Sequence, residues 1–258
     1  MRLTIDVLLD YAIAEPCDVL LQIEAAADAD QRLIEDTLTV TSREPLRAVA
    51  GEEGVDQRCW VLAEGHFVAE YRGIIEINRA GGDIAGLPLT APRDLSAALV
   101  PYVMPSRYCE SDRLETLVED EFGTFAGGAK ALAIRDWVAA HLTYESGTSA
   151  GVTTAIDTLV SRKGVCRDYA HLTVALLRAA AIPARCAAGY SPGVDPQDFH
   201  AVAEAWLDGA WHLLDATGMA TPEDFARVAV GRDATDIAFM TIFGAASLQR
   251  QSVRVVVG

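Results

Sequence analysis

The stretch GVCRDYAHL, residues 164–172, places a cysteine directly after a Gly-Val pair, at the first turn of a predicted helix. That helix continues through the Ala- and Leu-rich residues 166–182 and ends before Pro183. Its first N–H groups have no partner within the helix and carry the positive end of the dipole, which favours a thiolate. Cys166 is therefore either a small buried side chain or a nucleophile, and a nucleophile needs a base and an orienting group.

A hairpin further along the chain offers both partners. The segment DFHAVAEAWLDGAWHLLDATG, residues 198–218, carries the two-residue turn Asp208-Gly209 between apolar runs. Side chains alternate along a strand, so this loop puts His200 and Asp215 on one face as diagonal neighbours, about 7–8 Å apart at the backbone. A bulge would break this register. The predicted cross-strand pairs are Leu207–Ala210, Trp206–Trp211, Glu204–Leu213, Val202–Asp215 and His200–Thr217.

The arrangement predicts a nucleophile, base and orienting group in Cys166, His200 and Asp215. The structural alternative is a buried cysteine beside an unrelated His–Asp pair, and three groups in this order argue against it. His212 points to the other face of the hairpin, and His171 is expected to pack. A metal site from Cys166, His171 and His200 lacks zinc-type spacing, and no calcium loop is present. We therefore expect no metal and no cofactor.

The rest of the chain predicts an α+β fold in two parts. In RLTIDVLLDY, residues 2–11, apolar and polar residues alternate, and similar short runs follow. Residues 1–85 are therefore interpreted as a small antiparallel β-sandwich. A Gly- and Pro-rich stretch leads into a linker at residues 86–106. Residues 107–258 are predicted to form the catalytic domain, with helices packed on an antiparallel sheet.

The amino-acid composition and net charge exclude several classes of function. The chain has 258 residues, of which 51% are hydrophobic and 22% charged, enough for a buried core. The formal net charge of −16 makes nucleic acid an unsuitable partner. No stretch approaches the ~20 apolar residues of a membrane span, and the first residues lack the apolar core of a signal peptide. The five cysteines are widely spaced, without a C-x-x-C, which indicates a reducing cytoplasm rather than a disulfide framework.

Residues 164–190 and 198–218 together resemble the core of the transglutaminase-like superfamily, which are papain-fold cysteine enzymes with a Cys-His-Asp triad. The resemblance covers roughly residues 105–245, including PSRYCESDRL at 105–114 and GRDATDIAFMTIFG at 231–244. It is closest to the bacterial, protease-like branch, whose members carry a β-domain before this core. The family's nucleophile, histidine and aspartate fall on Cys166, His200 and Asp215, the three residues chosen above.

The resemblance implies a cysteine hydrolase that acts on peptide or isopeptide amides through a thioester, with a protein or peptide substrate. Acyl transfer or deamidation at glutamine shares this chemistry up to the thioester, and a binding module without turnover is the alternative from another class. The oligomeric state is left open. Candidates for the second oxyanion donor or for the cleft, each with an ordinary packing or capping role as its alternative, are Tyr108, Arg167, Asp168 and Trp206.

Overall fold

The computed structural model describes residues 1–55 and 57–258, and its fold is α+β, as expected. Two antiparallel sheets are present, and helices pack on the second of them. The strands are Arg2–Leu21 (β1), Gln31–Val40 (β2), Arg47–Ala50 (β3), Gln57–Ile77 (β4), Thr143–Tyr144 (β5), Lys163–Gly164 (β6), Ala184–Tyr190 (β7), His200–Leu207 (β8), Ala210–Leu214 (β9), Ala226–Gly231 (β10), Met240–Ile242 (β11) and Ala246–Val257 (β12). The helices are Glu115–Phe122 (α1), Gly127–His141 (α2), Ala155–Ser161 (α3), Cys166–Ala179 (α4) and Ala234–Ile237 (α5).

The first sheet is built around β1, which pairs with β4 on one side and with β11 and β12 on the other. Leu3, Ile5, Val7 and Leu9 are buried, and the residues between them are not, which matches the predicted alternation. The strand-rich N-terminal region is therefore present. Its strands form one hydrogen-bonded sheet where a β-sandwich has two, because the long β1 and β4 pair along nearly their whole length.

The C-terminal strand returns to this first sheet. β12 pairs with β1 from Leu3–Val257 to Ile13–Ala246. An unpaired edge on a strand as long as β1 would expose a row of free N–H and C=O groups, and β12 covers it. Residues 246–257 are thus joined by hydrogen bonds to the N-terminal strands, although the predicted division at 1–85, 86–106 and 107–258 assigns them to the catalytic unit. As a division into folding units, those boundaries stay a prediction.

The second sheet has the strand order β10-β7-β8-β9 and supports the long helix α4. Nearly every residue of α4 from Asp168 to Arg178 is buried, because β7 and β8 lie on one side and α1, α2 and α3 on the others. A helix that is apolar on most of its surface is stable only when it is covered in this way. The start of α4, where Cys166 lies, is thereby held rigidly at one end of the sheet.

Turns define two of the helix ends. Ser111–Arg113 forms a separate 3-10 turn, and α1 begins after it at Glu115. α3 ends at Ser161, and its C-cap residue Arg162 has a left-handed φ of 59°. The predicted linker is not detached, since the carbonyl of Leu87 accepts a hydrogen bond (2.9 Å) from the backbone N–H of Gly128 in α2.

A buried ion-pair network joins the second sheet to the N-terminal region. Glu204 in β8 is fully buried between Arg185 (2.7 Å) on the adjacent strand β7 and Arg227 (2.6 Å) on β10, the strand beyond β7. Arg227 also pairs with Asp28, and Arg185 pairs with Glu53 (2.8 Å). Burial alone would raise the pKa of Glu204, but the two guanidinium groups lower it to about 2. The carboxylate is therefore ionised and ties the two parts of the fold together.

None of the helices in the described part of the chain is long and apolar enough to cross a membrane.

Candidate active site

Cys166 is the first residue of α4, as predicted. The turn before it is fixed by Asp168, whose carboxylate accepts the backbone N–H of Val165 (2.9 Å) and the hydroxyl of Ser149 (2.9 Å). The Cys166 side chain is half-buried, and its thiol donates to the carbonyl oxygen of Phe199 (3.9 Å). The nucleophile candidate therefore lies at a helix N-terminus, beside the residue that precedes His200.

Gly164 allows a close approach between the chain and Asp168. A Cβ atom at Gly164 would lie 2.6 Å from Cβ of Asp168 and 2.8 Å from its Oδ2, too close for any side chain. The glycine therefore allows Asp168 to approach the chain and to hold the turn that leads into Cys166.

The predicted register of the β8–β9 hairpin is confirmed for the residue pairs that are joined in its ladder. Leu207 pairs with Ala210, and the pairing runs on through Trp206–Trp211 and Glu204–Leu213 to Ala203–Leu214. Asp208 (φ 48°) and Gly209 (φ 81°) form the two-residue loop with the left-handed backbone that such turns require. The ladder ends at Leu214, so the predicted pairs Val202–Asp215 and His200–Thr217 do not form.

His200 and Asp215 nevertheless meet. Nε2 of His200 lies 2.8 Å from Oδ2 of Asp215, and both side chains are buried. The chain turns sharply after β9, and the Asp215 carboxylate accepts the backbone N–H groups of Thr217 (2.8 Å), Met219 (3.1 Å) and Ala220 (2.9 Å). Burial would raise the pKa of Asp215, but the hydrogen bond and charge of His200 and the hydrogen bonds from Thr217 together outweigh burial and lower the pKa. Asp215 is therefore a rigidly held anion beside the imidazole.

The His200 ring is polarised from both sides. Burial would lower its pKa, but the hydrogen bond to Asp215 and the interaction with the Cys166 thiol raise it to about 9. Nδ1 of His200 is buried and, within residues 1–55 and 57–258, has no hydrogen-bond partner at ordinary distance. An imidazolium ring held by a carboxylate and facing a thiol can stabilise a thiolate and can deliver a proton.

Arg167 and Asp168 differ in their position relative to the cavity beside Cys166. Arg167 lines the cavity next to Cys166, and its Nη2 donates to the Ser149 hydroxyl (2.7 Å) and the Ala150 carbonyl (2.6 Å). Asp168 is fully buried behind the helix start and does not line the cavity. Arg167 is thus a cleft residue, whereas Asp168 has the capping role given above as its alternative.

Tyr108 is placed at the cavity, but its hydroxyl is engaged elsewhere. The Tyr108 hydroxyl donates to the carbonyl oxygen of Gly151 (2.7 Å), and the ring stacks on His171 at a centroid separation of 5.1 Å. The phenol oxygen therefore points to a backbone carbonyl, and we correct its expected role: Tyr108 contributes a wall of the cleft instead of the second oxyanion donor.

Trp206 lies away from the cleft. Its ring packs edge-on against Trp211 (5.3 Å between centroids) as a cross-strand pair, and it is not among the residues that line the cavity at Cys166. The structure corrects its expected position in the cleft, because β8 is eight residues long and Trp206 lies near the end opposite His200.

Tyr144 is the residue that the sequence analysis missed. The short strand β5 pairs in parallel with β6, which puts Tyr144 opposite Gly164, two residues before Cys166. The pKa of Tyr144 is raised to about 12, first by burial and then by the Cys166 thiol, while the backbone N–H of Cys166 opposes the rise. Tyr144 therefore lies beside the start of α4, where Cys166 is the first residue. Two-residue strands leave no periodic pattern, so the sequence offered no local sign of this contact.

A cavity of about 320 Å³ opens between Cys166 and His200. Its walls come from β7, β8, β10, the α5 region and the end of β1, and they are mostly apolar. Among the described residues, no group of three or more His, Cys, Asp or Glu side chains gathers as metal ligands do. The chemistry that this arrangement supports is nucleophilic attack by sulfur with proton transfer by imidazole.

Known proteins share this sequence and fold. The sequence model of the Transglutaminase-like superfamily matches residues 118–216. A solved structure from Cytophaga hutchinsonii, described as a "Putative Cysteine Protease", is 32% identical, with a TM-score of 0.89, and the alignment covers 99% of this chain and 90% of that chain.

Two further similarities cover less of the relative or have a lower TM-score. An uncharacterized protein of Mycobacterium leprae (strain TN) is 34% identical over 116 residues, which are 42% of this chain and 41% of that protein. The match thus spans less than half the length of that relative. The periplasmic domain of TgpA from Pseudomonas aeruginosa is 18% identical over 83% of this chain and 95% of that chain, with a TM-score of 0.43.

Proposed function

The chain belongs to the transglutaminase-like superfamily, and we propose that it is a cysteine hydrolase that cleaves peptide or isopeptide amides with Cys166, His200 and Asp215. One observation carries the proposal. A single buried imidazole interacts with a carboxylate through Nε2 and with a thiol at a helix N-terminus, and its pKa is about 9. A structural histidine needs neither partner in this combination.

The proposed reaction has two steps. The Cys166 sulfur attacks the amide carbonyl carbon, the C–N bond breaks, and His200 donates its proton to the leaving amine, which leaves a thioester on Cys166. His200 then accepts a proton from water as the water oxygen attacks the thioester. The C–S bond breaks, a carboxylic acid is released, and the Cys166 thiolate is regenerated beside the protonated His200 ring. Asp215 orients the ring and stabilises its charged form throughout.

Two groups are proposed to hold the negative oxygen that forms during each attack. One is the backbone N–H of Cys166, which is unpaired within α4 because it lies in the first turn. The other is the hydroxyl of Tyr144, which interacts with this N–H and with the thiol. Tyr144 takes this place because the Tyr108 hydroxyl is bonded to Gly151.

The test is the pH dependence of Cys166 alkylation by iodoacetamide, followed at the Cys166 peptide by mass spectrometry. The wild type is expected to react quickly at about pH 6 to 7, where an ordinary thiol is protonated, and His200→Ala to lose at least about 10²-fold of this rate. His212→Ala is the matched control on the same hairpin, because His212 bonds to the Leu207 carbonyl (3.2 Å) and does not line the cavity at Cys166, and it is expected to react like the wild type. Equal profiles in all three proteins would leave a binding module as the better account.

A separate experiment tests whether water or an amine attacks the thioester. With a reactive protein or peptide substrate, hydrolysis predicts release of an amine product and a new carboxylate without incorporation of an added primary amine. Stable incorporation of the amine at a glutamine side chain would replace hydrolysis by acyl transfer while leaving the Cys166 chemistry in place.

A further inference from the structure

The cavity beside Cys166 is lined by more than the reacting groups. Its lining includes Cys166, Arg167 and His200, and the remaining walls are contributed by uncharged side chains of the described chain. Its volume of about 320 Å³ is roughly twice that of an apolar cavity of about 150 Å³ that holds benzene. It therefore has room for one aromatic or branched side chain.

Small residues create this space. Ala188 and Ala201 are cross-strand partners on β7 and β8, and Ala234 and Ala238 also line the cavity. Phe199 and Phe239 stack at 4.0 Å between ring centroids with their planes within 2°, and both line the cavity. A slot lined by small residues and aromatic rings suits an apolar group, and a charged side chain in it would lose its hydration without a partner.

One part of the lining comes from the N-terminal region. Gln22, directly after β1, donates its backbone N–H to the carbonyl of Phe239 (2.8 Å) and is only 3% exposed. The next residue, Ile23, accepts a hydrogen bond from the Tyr190 hydroxyl (2.6 Å). The Gln22 side chain lines the cavity, and its Nε2 has no hydrogen-bond partner in the described chain. The cavity is therefore closed by a residue that the catalytic core does not itself supply.

We propose that this cavity is the subsite for one aromatic or branched apolar side chain of the substrate, from one of the two residues on the acyl side of the cleaved amide. This inference rests on the proposed function. The acyl part stays attached to Cys166 in both steps, so a side chain held beside the sulfur aids both formation and hydrolysis of the thioester. The substrates are accordingly peptides with an apolar residue near the cleaved bond, and Gln22 limits how large that residue is.

The experiment uses acetylated dipeptidyl chloromethyl ketones, in which Cys166 sulfur displaces chloride, with each of the two residues varied. Inactivation of the wild type is expected to be about 100-fold faster with Phe or Leu at one of the two positions than with Gly, Lys or Glu there. Ala188→Leu narrows the slot and is expected to lose at least about tenfold of this preference. Gln22→Ala lengthens it and is expected to shift the preference from phenylalanine toward naphthylalanine. Ala210→Leu, exposed on β9 and remote from the cavity, is the matched control.

The two substitutions in the cavity move the size preference in opposite directions, which general damage to the fold would not do. Thermal unfolding of each variant checks that it is folded. Equal rates with all side chains, or a preference for Lys or Glu, would overturn the subsite while the iodoacetamide profile still supports the Cys166–His200 pair. If the pH dependence of Cys166 alkylation were the same in the wild type and in His200→Ala, the proposed function would be overturned, and the subsite with it.

Discussion

Nε2 of His200 lies 2.8 Å from Oδ2 of Asp215, across fifteen residues of chain and past the end of the ladder that joins β8 to β9. This contact is the main reason that the pKa of His200 is raised to about 9 against the opposing effect of burial. Its proton is therefore retained across neutral pH. Both the leaving-group step and the pH dependence of stability follow from this.

Amide hydrolysis is expected to keep its rate through neutral pH and to fall above about pH 9. The proposed acid is the protonated His200 ring, which is lost as the pH passes its raised pKa of about 9. The measurement is kcat/KM against pH with a peptide amide substrate. A fall already centred near pH 6.5, the ordinary value for histidine, would contradict a His200 held by Asp215.

Asp215→Asn is expected to lower kcat by about 10⁴-fold and to move the alkaline limb of the profile toward neutral pH, because the ring loses its orienting anion. The stability effect has a defined window. The pair stabilises the fold below about pH 6.5, where His200 is charged in both states, and this contribution declines as the pH rises toward 9. The pKa of Asp215 is lowered, so the contribution is also lost in acid as that carboxylate protonates. Urea unfolding of wild type and variant should therefore differ most between about pH 4 and 6.5.

Tyr144→Phe is expected to lower kcat by about 10²- to 10³-fold with little change in KM, because one donor to the negative oxygen is lost. Tyr108→Phe is the matched control. It removes the hydrogen bond to Gly151, which costs roughly 1 kcal/mol of stability, and should change kcat by less than tenfold. An unchanged or higher kcat in Tyr144→Phe would mean that the hydroxyl only covers Cys166.

Glu204→Gln is expected to destabilise the fold by about 3–5 kcal/mol, because Arg185 and Arg227 are left buried without their shared anion. In the wild type, the pKa of Glu204 is lowered to about 2. Its contribution is present above its ordinary value of about 4.5 and declines as the pH falls from there toward 2. Chemical denaturation at pH 7 and pH 3 measures both effects, and a variant as stable as the wild type at pH 7 would contradict them.

Gly164→Ala is expected to destabilise the fold by about 1–3 kcal/mol and to lower the alkylation rate of Cys166, because the new Cβ overlaps Asp168 and displaces the first turn of α4. Gly151→Ala serves as the control, since a Cβ there meets no atom within 4 Å. The two variants are compared by thermal unfolding and by iodoacetamide kinetics. Equal behaviour of both would show that the approach of Asp168 does not position Cys166.

Local sequence rules were sufficient for part of the site. A helix that follows Gly-Val predicted the place of Cys166, and Asp208-Gly209 predicted the register of the hairpin as far as Leu214, although the contact of His200 with Asp215 forms beyond the end of that ladder. Both rules depend on backbone geometry within a few residues, which the sequence states directly. The α+β class followed in the same way from the change in hydrophobic period along the chain.

The remaining features depend on contacts between distant segments. Tyr144 lies near Cys166 because the two-residue strands β5 and β6 pair in parallel. The Tyr108 hydroxyl, expected as an oxyanion donor, instead donates a hydrogen bond to the carbonyl of Gly151. β12 joins β1, and Gln22 closes the cavity, through pairings between opposite ends of the chain. Such contacts are selected by the packing of the whole molecule, so the sequence alone determined the candidate nucleophile, base and orienting group, and only the tertiary structure decided what surrounds them.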